Sequence, residues 1–425
     1  MEKLAILGGE PVRKKPYYST AVIGDEERER VASVLESGKL SGFIANASEA
    51  FYGGEQVREF EKLASEYFKV PHVVTVNSAT AGLHAALGAC GIGPGDEVIV
   101  PPYTMAATAT AVVMNQAVPV FADIETETFG LDPASVEKNI TPRTKAILVV
   151  HLFGHCAKIS EIQAIAKKHK LFLLEDCAQS PGARHNGKLA GTFGDVGIFS
   201  LNQHKTITCG EGGFCILNDA RLARRVQLIR NHGEAIVNAM GVSEIDNMIG
   251  FNYRMTELEA AVAIGQFRRL DSLNDHRIML ADYLSEKLKQ FNFLSLPKHS
   301  EKYGHVYFVY PKRYDAQKAG LPRKVFVDAL LKEGIPMGAG YVRPLYWEPM
   351  FAQKIAYGKK GWPFTNSPEV SYAKGLCPNV EKMHTEELIS TAICRHPHTK
   401  ADMDDFIQAV EKIMRNKDAL LAVQV

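Results

Sequence analysis

Three short stretches carry residue types that can do chemistry together. NSATAGLHAAL (residues 77–87) is a small-residue turn running straight into a helix. Its free backbone amides, with the hydroxyls of Ser78 and Thr80, suit a phosphate. EDCAQS (175–180) puts the carboxylate of Asp176 at the end of a buried apolar run, where desolvation demands a cationic partner. FSLNQHKTITCGEGGF (199–214) ends an apolar run at Ser200 and carries Lys205 on the loop that follows. Taken singly, each has an ordinary reading: a helix cap, a local ion pair, a solvated lysine beside turn glycines. Together they supply an anion cradle, a carboxylate and an amine. Pyridoxal phosphate needs that set: a phosphate anchor, a partner for the ring nitrogen and a Schiff-base lysine.

The elements around these stretches explain how they could meet. From residue 73 to about 217 the chain repeats a short apolar run, a turn and a helix-like segment. The runs are VVTV (73–76), EVIV (97–100), VPVF (118–121), AILVV (146–150), LFLL (171–174), VGIFS (196–200) and GFCIL (213–217). Each has strand length and is flanked by Gly, Pro, Asp or Asn. Asp132-Pro133 reads as an N-cap followed by proline in the first helical turn. Alternation of this kind predicts an α/β fold with a mostly parallel sheet covered on both faces, and ligands at the carboxyl ends of its strands. Residues 254–290 read as long helix. After residue 292 comes a new mixture: VYFVYP (306–311), a helical PRKVFVDALLKEG (322–334) and a final helix over 401–414. The predicted organisation is an arm (1–22), a large domain (23–253), connecting helices (254–291) and a small α/β domain (292–425).

Composition narrows the function class. The 425 residues include 49 Lys and Arg against 48 Asp and Glu, a formal net charge of +1, which gives no support for a polyanionic partner such as nucleic acid. No apolar run is long enough to cross a bilayer, and MEKLAILGGEPVRKKPYY does not resemble a secretory signal. Seven dispersed cysteines with no CxxC pair point to reduced thiols rather than a disulfide framework or a zinc site. The expectation is a cytoplasmic protein with no metal and no membrane partner.

With NSATAGLHAAL, GIGPGDEVIVPPYT (91–104), ITPRTKAILVVHLFG (140–154), EDCAQSPGARHNGKLAGTFGDVGIFS (175–200), HKTITCGEGGF (204–214) and GFNYRMTELEAAVAIGQFRRLD (250–271), the chain resembles the DegT/DnrJ/EryC1/StrS sugar aminotransferases. These are fold-type I pyridoxal phosphate enzymes, and the resemblance runs from about residue 24 to 412. It implies that Lys205 forms the Schiff base and shuttles a proton, and that Asp176 keeps the ring nitrogen protonated. Gln179 would sit beside the ring. Ser78, Ala79, Thr80 and Ser200 would hold the phosphate, and Asn252 would reach the phosphate of the neighbouring subunit in a homodimer. Met105 falls where an aromatic often stacks on the ring, a role Tyr103 could also fill. His232, Tyr341, Arg343 and Trp347 occupy regions that line the family's substrate pocket. The segment CPNVEKMHTEELISTAICRHPHT (377–399) resembles the branch acting on cyclitols and aminoshikimate-type precursors more than the nucleotide-sugar members.

The activity implied is ping-pong transfer of an amino group from glutamate or glutamine to a keto-sugar or keto-cyclitol. Two other readings stay open at this stage. One is a pyridoxal phosphate-dependent elimination and aromatisation, as in aminohydroxybenzoate formation. The other is a non-catalytic homologue that binds the cofactor for regulation, although such a protein is expected to lose Lys205 or Asp176.

Overall fold

All seven apolar runs become strands of one sheet in the computed structural model, which describes residues 2–18, 21–298 and 304–422. They are β1 (His72–Val76), β2 (Glu97–Val100), β3 (Val118–Phe121), β4 (Thr144–Val150), β5 (Phe172–Asp176), β8 (Val196–Ser200) and β9 (Gly213–Leu217). Between β5 and β8 lies a separate short hairpin, β6 (Arg184–His185) with β7 (Lys188–Leu189). The order across the sheet is β1-β9-β8-β5-β4-β2-β3. The pairs from β8 to β3 are parallel, whereas β9 runs antiparallel to both β1 and β8. Strands β2, β3, β8 and β9 are buried along their whole length, as expected of a sheet covered on both faces. Helices Ala79–Ala89, Ala107–Met114, Pro133–Lys138 and Ile159–His169 supply connections between its strands. The Asp132 side chain does cap its helix, accepting from the amide of Ala134. Strand β5 runs two residues past the apolar LFLL, so Glu175 and Asp176 belong to the sheet itself.

The long helical stretch divides in two, Glu257–Arg268 and Leu270–Leu288. The first opens on a capping box: Thr256 Oγ1 accepts from the Glu259 amide at 3.2 Å and Glu259 Oε2 accepts from the Thr256 amide at 2.8 Å, which satisfies two otherwise orphaned donors. A second, antiparallel sheet follows, β10 (Leu294–Ser295), β11 (Tyr310–Tyr314), β12 (Gly338–Ala339) and β13 (Leu388–Thr391), in the order β10-β11-β13-β12. Helices Leu270–Leu288, Arg323–Lys332 and Lys400–Arg415 pack on it through Leu284, Phe326, Leu330, Phe406 and Val410.

One region differs from the sequence reading. The strand expected at VYFVYP begins only at Tyr310, because residues 306–309 pair elsewhere. The amides of Val306 and Val309 donate to the carbonyls of Gly154 (2.9 Å) and Phe153 (3.2 Å), in the turn after β4. This contact ties the second sheet to the strand ends of the first. The first residues, read as an arm, dock on the second core. Leu4 is buried in the second core, the amides of Ala5 and Val12 donate to the Glu333 carboxylate at 2.8 and 3.0 Å, and Arg13 pairs with Asp402 and Asp405.

Candidate active site

The register of the sheet gathers the predicted residues at one edge. Val76 and Ser200 both pair with Gly213, one from each side. Thus the turn after β1, the end of β8 and the start of β9 converge on a single glycine. A Cβ at Gly213 would lie 2.7 Å from the Ala79 amide nitrogen and 2.7 Å from the Phe199 carbonyl, closer than real contacts allow. The sequence suggests a turn glycine here; its purpose is close approach of β9 to a helix start. At that start Ser78 is extended and its Oγ accepts from the Ala81 amide at 3.1 Å. The amides of Ala79 and Thr80, in the first turn, have no acceptor within the helix. Ser200 lies buried across from them, its Oγ accepting from the Asn202 amide at 3.3 Å. Small residues, an empty first turn and two hydroxyls make a cradle that fits a phosphate dianion.

Asp176 closes β5 and is only 5% exposed. Its Oδ1 accepts from the Ala178 amide at 3.0 Å and its Oδ2 from the hydroxyl of fully buried Thr108 at 2.9 Å. Burial raises its pKa, while those two bonds and the charge of Lys205 oppose the rise. Such a carboxylate gains from a cationic partner, and a protonated ring nitrogen is one. Lys205 faces it from the loop 201–212, whose base is fastened by the bonds of the Leu201 amide to Gly212 and the Cys209 amide to Leu201, at 2.9 and 3.0 Å. Burial pushes the Lys205 amine below the ordinary lysine value, against the pull of Asp176. Its Nζ lies 5.0 Å from the centroid of the Phe308 ring, which the contact of residues 306–309 with the turn after β4 holds there. A neutral amine, the form that attacks a carbonyl, is thereby easier to reach than on a solvated lysine.

Gln179 is fixed at both ends, with Oε1 accepting from the Phe153 amide at 2.8 Å and Nε2 donating to Tyr341 Oη at 3.0 Å. Tyr341 starts a second wall. Its ring packs edge-on to Phe153 and Tyr103, and Tyr103 packs against His384, which in turn packs against Trp347. Among the described residues the buried Trp347 Nε1 and His384 Nδ1 have no hydrogen-bond partner. Burial, then the nearby Arg323 and Arg343, lowers the pKa of His384. Arg343 itself is exposed, 3.8 Å from Glu348.

The remaining predicted residues stand further out. Met105 is 63% exposed, and its carbonyl accepts from the Thr108 amide at 3.2 Å, so it borders the Asp176 partner. The backbone of Asn252 lies beside Asn77, and its exposed side chain accepts from Arg254 Nε at 2.8 Å. His232 has a left-handed backbone and lies 3.9 Å from Glu234; no contact joins it to Lys205 or Asp176. Thr108, Phe308 and His384 belong to the cluster yet carry no signal in the sequence, since each is far along the chain from its partner.

One further group needs sorting. His151, Glu175 and Cys177 are buried with ligand-type atoms within 4.8 Å of one another. The Glu175 carboxylate, however, accepts from His151 Nε2 at 2.9 Å and from the amides of Gly191, Phe193 and Gly194 at 2.8, 2.7 and 2.6 Å. Its lone pairs are used, and His151 Nδ1 accepts from the Ala157 amide. This is a hydrogen-bonded brace behind Asp176.

Sheet order, cradle, buried carboxylate and desolvated lysine define a fold-type I pyridoxal phosphate-dependent enzyme. The chain belongs to the DegT/DnrJ/EryC1/StrS aminotransferase family, whose model matches residues 23–393, and it is a pyridoxal phosphate-dependent aminotransferase. It is 34% identical to an L-glutamine:2-deoxy-scyllo-inosose aminotransferase of Streptoalloteichus tenebrarius, over 99% of each chain. It is 31% identical to the spore coat polysaccharide biosynthesis protein SpsC of Bacillus subtilis, over 94% of this chain and 97% of that protein. Among solved structures it resembles DesI, analysed in the presence of its TDP-sugar product, with a TM-score of 0.81 and 26% identity over 99% of this chain and 98% of that one.

Proposed function

We propose that this aminotransferase takes its amino group from glutamine or glutamate and delivers it to the ketone of a polyhydroxylated ring, a keto-cyclitol ahead of a nucleotide-linked keto-sugar. The observation that carries the transfer chemistry is Lys205, desolvated beside buried Asp176 at the mouth of the phosphate cradle. The relatives named for glutamine and 2-deoxy-scyllo-inosose, matched over nearly the full chain, support the donor and the cyclitol. The wall from Tyr341 to Trp347 supports a ring acceptor, since aromatic faces and unsatisfied N–H groups suit a hydroxylated carbocycle.

In this reading Ser78, Thr80, Ser200 and the amides of Ala79 and Thr80 bind the phosphate, and Met105 borders the ring. Asp176 holds the proton on the ring nitrogen, with Thr108 fixing the carboxylate. Gln179 and Tyr341 orient the opposite edge. The cofactor supplies an electron sink for charge left at the α-carbon. Lys205 would hold it through its side-chain amine and, freed when the donor binds, would take the proton from the donor's α-carbon and later return one to the carbon aminated in the acceptor. His232, Arg343 and Trp347 border the acceptor. The protein works as a homodimer in which Asn252 reaches the partner's phosphate. Residues 23–253 form the cofactor-binding domain, 254–291 the connector and 292–425 the small domain. All seven cysteines are free, which supports work in a reducing compartment, the cytoplasm.

The test is incubation with glutamine and a keto-cyclitol, with both products measured. An amine and a 2-oxo acid in equal amounts are expected. An aromatic product without amine transfer contradicts the proposal, and so does a cofactor that glutamine or glutamate never converts to its amino form.

A further inference from the structure

Two non-glycine residues with left-handed backbones lie in the two turns that meet beside Lys205. Phe153 (φ 60°) is in the turn after β4, and Tyr307 (φ 48°) is in the segment that precedes β11. With a Cβ this conformation is strained, and it persists only where the surroundings impose it. Here a side chain holds each amide: Phe153 donates to Gln179 Oε1 at 2.8 Å and Tyr307 to His305 Nδ1 at 2.9 Å. The Tyr307 ring stacks on that of His305 with centroids 4.0 Å apart, and His305 stacks on His155 at 4.7 Å. The bonds from Val306 to Gly154 and from Val309 to Phe153 join the two turns, so closely that a Cβ on Gly154 would lie 2.8 Å from the Phe308 amide nitrogen. The kink decides which way the rings point. In an unbroken strand Phe308 would share a face with Tyr310, and Tyr307 would take the other. Instead Tyr307 and Tyr310 both enter the second core, and half-buried Phe308 is left over the Lys205 amine, its centroid 5.0 Å from Nζ.

We infer that Phe308 is a further residue of the active site, its ring covering the Lys205 amine against water, and that Tyr307 is the positioning residue that aims it. This rests on the aminotransferase reading in taking Lys205 as the reactive amine. A ring over an amine acts in two opposed ways. Its π face attracts the charged ammonium, whereas its bulk removes water and favours the neutral amine. The surroundings favour the second. Asp176 faces the amine from β5 and is the one group that supports its charge, against the larger effect of burial. The other charged or titratable groups lining the cleft beside it, Arg277, Arg395 and His396, are cationic or neutral and give an ammonium no support. A cover that keeps water off this amine therefore keeps it in the form that attacks a carbonyl and accepts a proton.

Competitive acetylation of the full-length apoenzyme with acetic anhydride, followed by mass analysis of the peptide containing Lys205, gives the pH midpoint of that amine without turnover. The labelling rate reports access; the midpoint reports charge, and only the midpoint is read. Phe308→Ala should raise it, so that the neutral fraction at about pH 8 falls roughly 10-fold, and Phe308→Asn should act in the same direction. Phe308→Leu, which keeps an apolar cover, should stay within about 3-fold of the wild type. Tyr307→Leu keeps apolar bulk but loses the stack on His305 and disfavours the left-handed backbone. It should raise the midpoint by less than Phe308→Ala, whereas Tyr307→Phe, which keeps the ring, should leave it in place. A midpoint that is unchanged or lower in Phe308→Ala and Phe308→Asn overturns the cover, since the ring is then idle or supports the ammonium. A wild-type midpoint in Tyr307→Leu overturns the positioning role. If borohydride fixes the cofactor to another lysine while these midpoints move as described, the reading of Lys205 as the anchor fails and the cover stands.

Discussion

The two sides of the active site are built on different principles. The cradle side is made of strand ends and one helix start, and the carboxylates that back its open first turn already have partners: Asp176 holds Ala178 and Thr108, and Glu175 behind it holds His151 and three amides. The opposite side comes from residues 306–309 and 341–384, and polar groups there stand idle among the described residues, including Trp347 Nε1 and His384 Nδ1. A satisfied network is rigid, and an unsatisfied buried N–H costs free energy until a ligand meets it. The cradle therefore fits a group that stays, and the far side fits substrates that come and go. Breaking the cradle should cost chemistry in both half-reactions; breaking the far side should cost one substrate at a time.

The largest effect short of removing the lysine is expected from Asp176→Asn, which keeps the shape and loses the charge proposed to hold the ring proton. Turnover should fall roughly 100- to 1000-fold in both half-reactions, measured as single turnovers with glutamine and with the ketone. A loss in one half-reaction alone would erase the contrast between the two sides. The same variant sharpens the lysine argument. Cofactor attachment to the apoenzyme should accelerate as pH rises and Lys205 loses its proton, with a midpoint below the ordinary lysine value of about 10.4. Asp176 raises the Lys205 pKa, so Asp176→Asn should move that midpoint lower still.

Next in size is Gly213→Ala. Its methyl must push the Ala79 amide or the Phe199 carbonyl aside, an overpacking cost of about 1–3 kcal/mol. Cofactor affinity should drop by roughly 10- to 100-fold in equilibrium dialysis, with the strands otherwise intact by circular dichroism. Unchanged affinity would show that the cradle is not where phosphate sits. The smallest effect belongs to Tyr341→Phe, which removes the hydroxyl that Gln179 Nε2 donates to. A loss of about 0.5–1.5 kcal/mol corresponds to a several-fold change in kcat/KM.

The same contrast decides what could be read from sequence. All seven strands of the large sheet were legible because each is a local apolar run with its own turn residues, and Lys205, Asp176 and Ser78 each sit a few residues past one. The far side is assembled from segments that meet only through folding. Thr108 reaches Asp176 across 68 positions, and nothing near Phe308 in the chain announces its contact with Lys205. The VYFVYP stretch shows the limit most clearly: its apolar pattern suits a strand, but the carbonyls of Phe153 and Gly154 capture its first half. The docking of residues 2–13 on Glu333, Asp402 and Asp405 is equally non-local.

The central claim is that Lys205 is the covalent anchor of the cofactor and the proton carrier of the transfer. Borohydride reduction of the holoenzyme, followed by peptide mass analysis, tests it most directly, with Lys205→Ala treated in parallel. The account predicts one reduced cofactor adduct, on the peptide containing Lys205, and in the variant no adduct and a turnover lower by roughly 10^4-fold. An adduct on another lysine, or full turnover in Lys205→Ala, would contradict it.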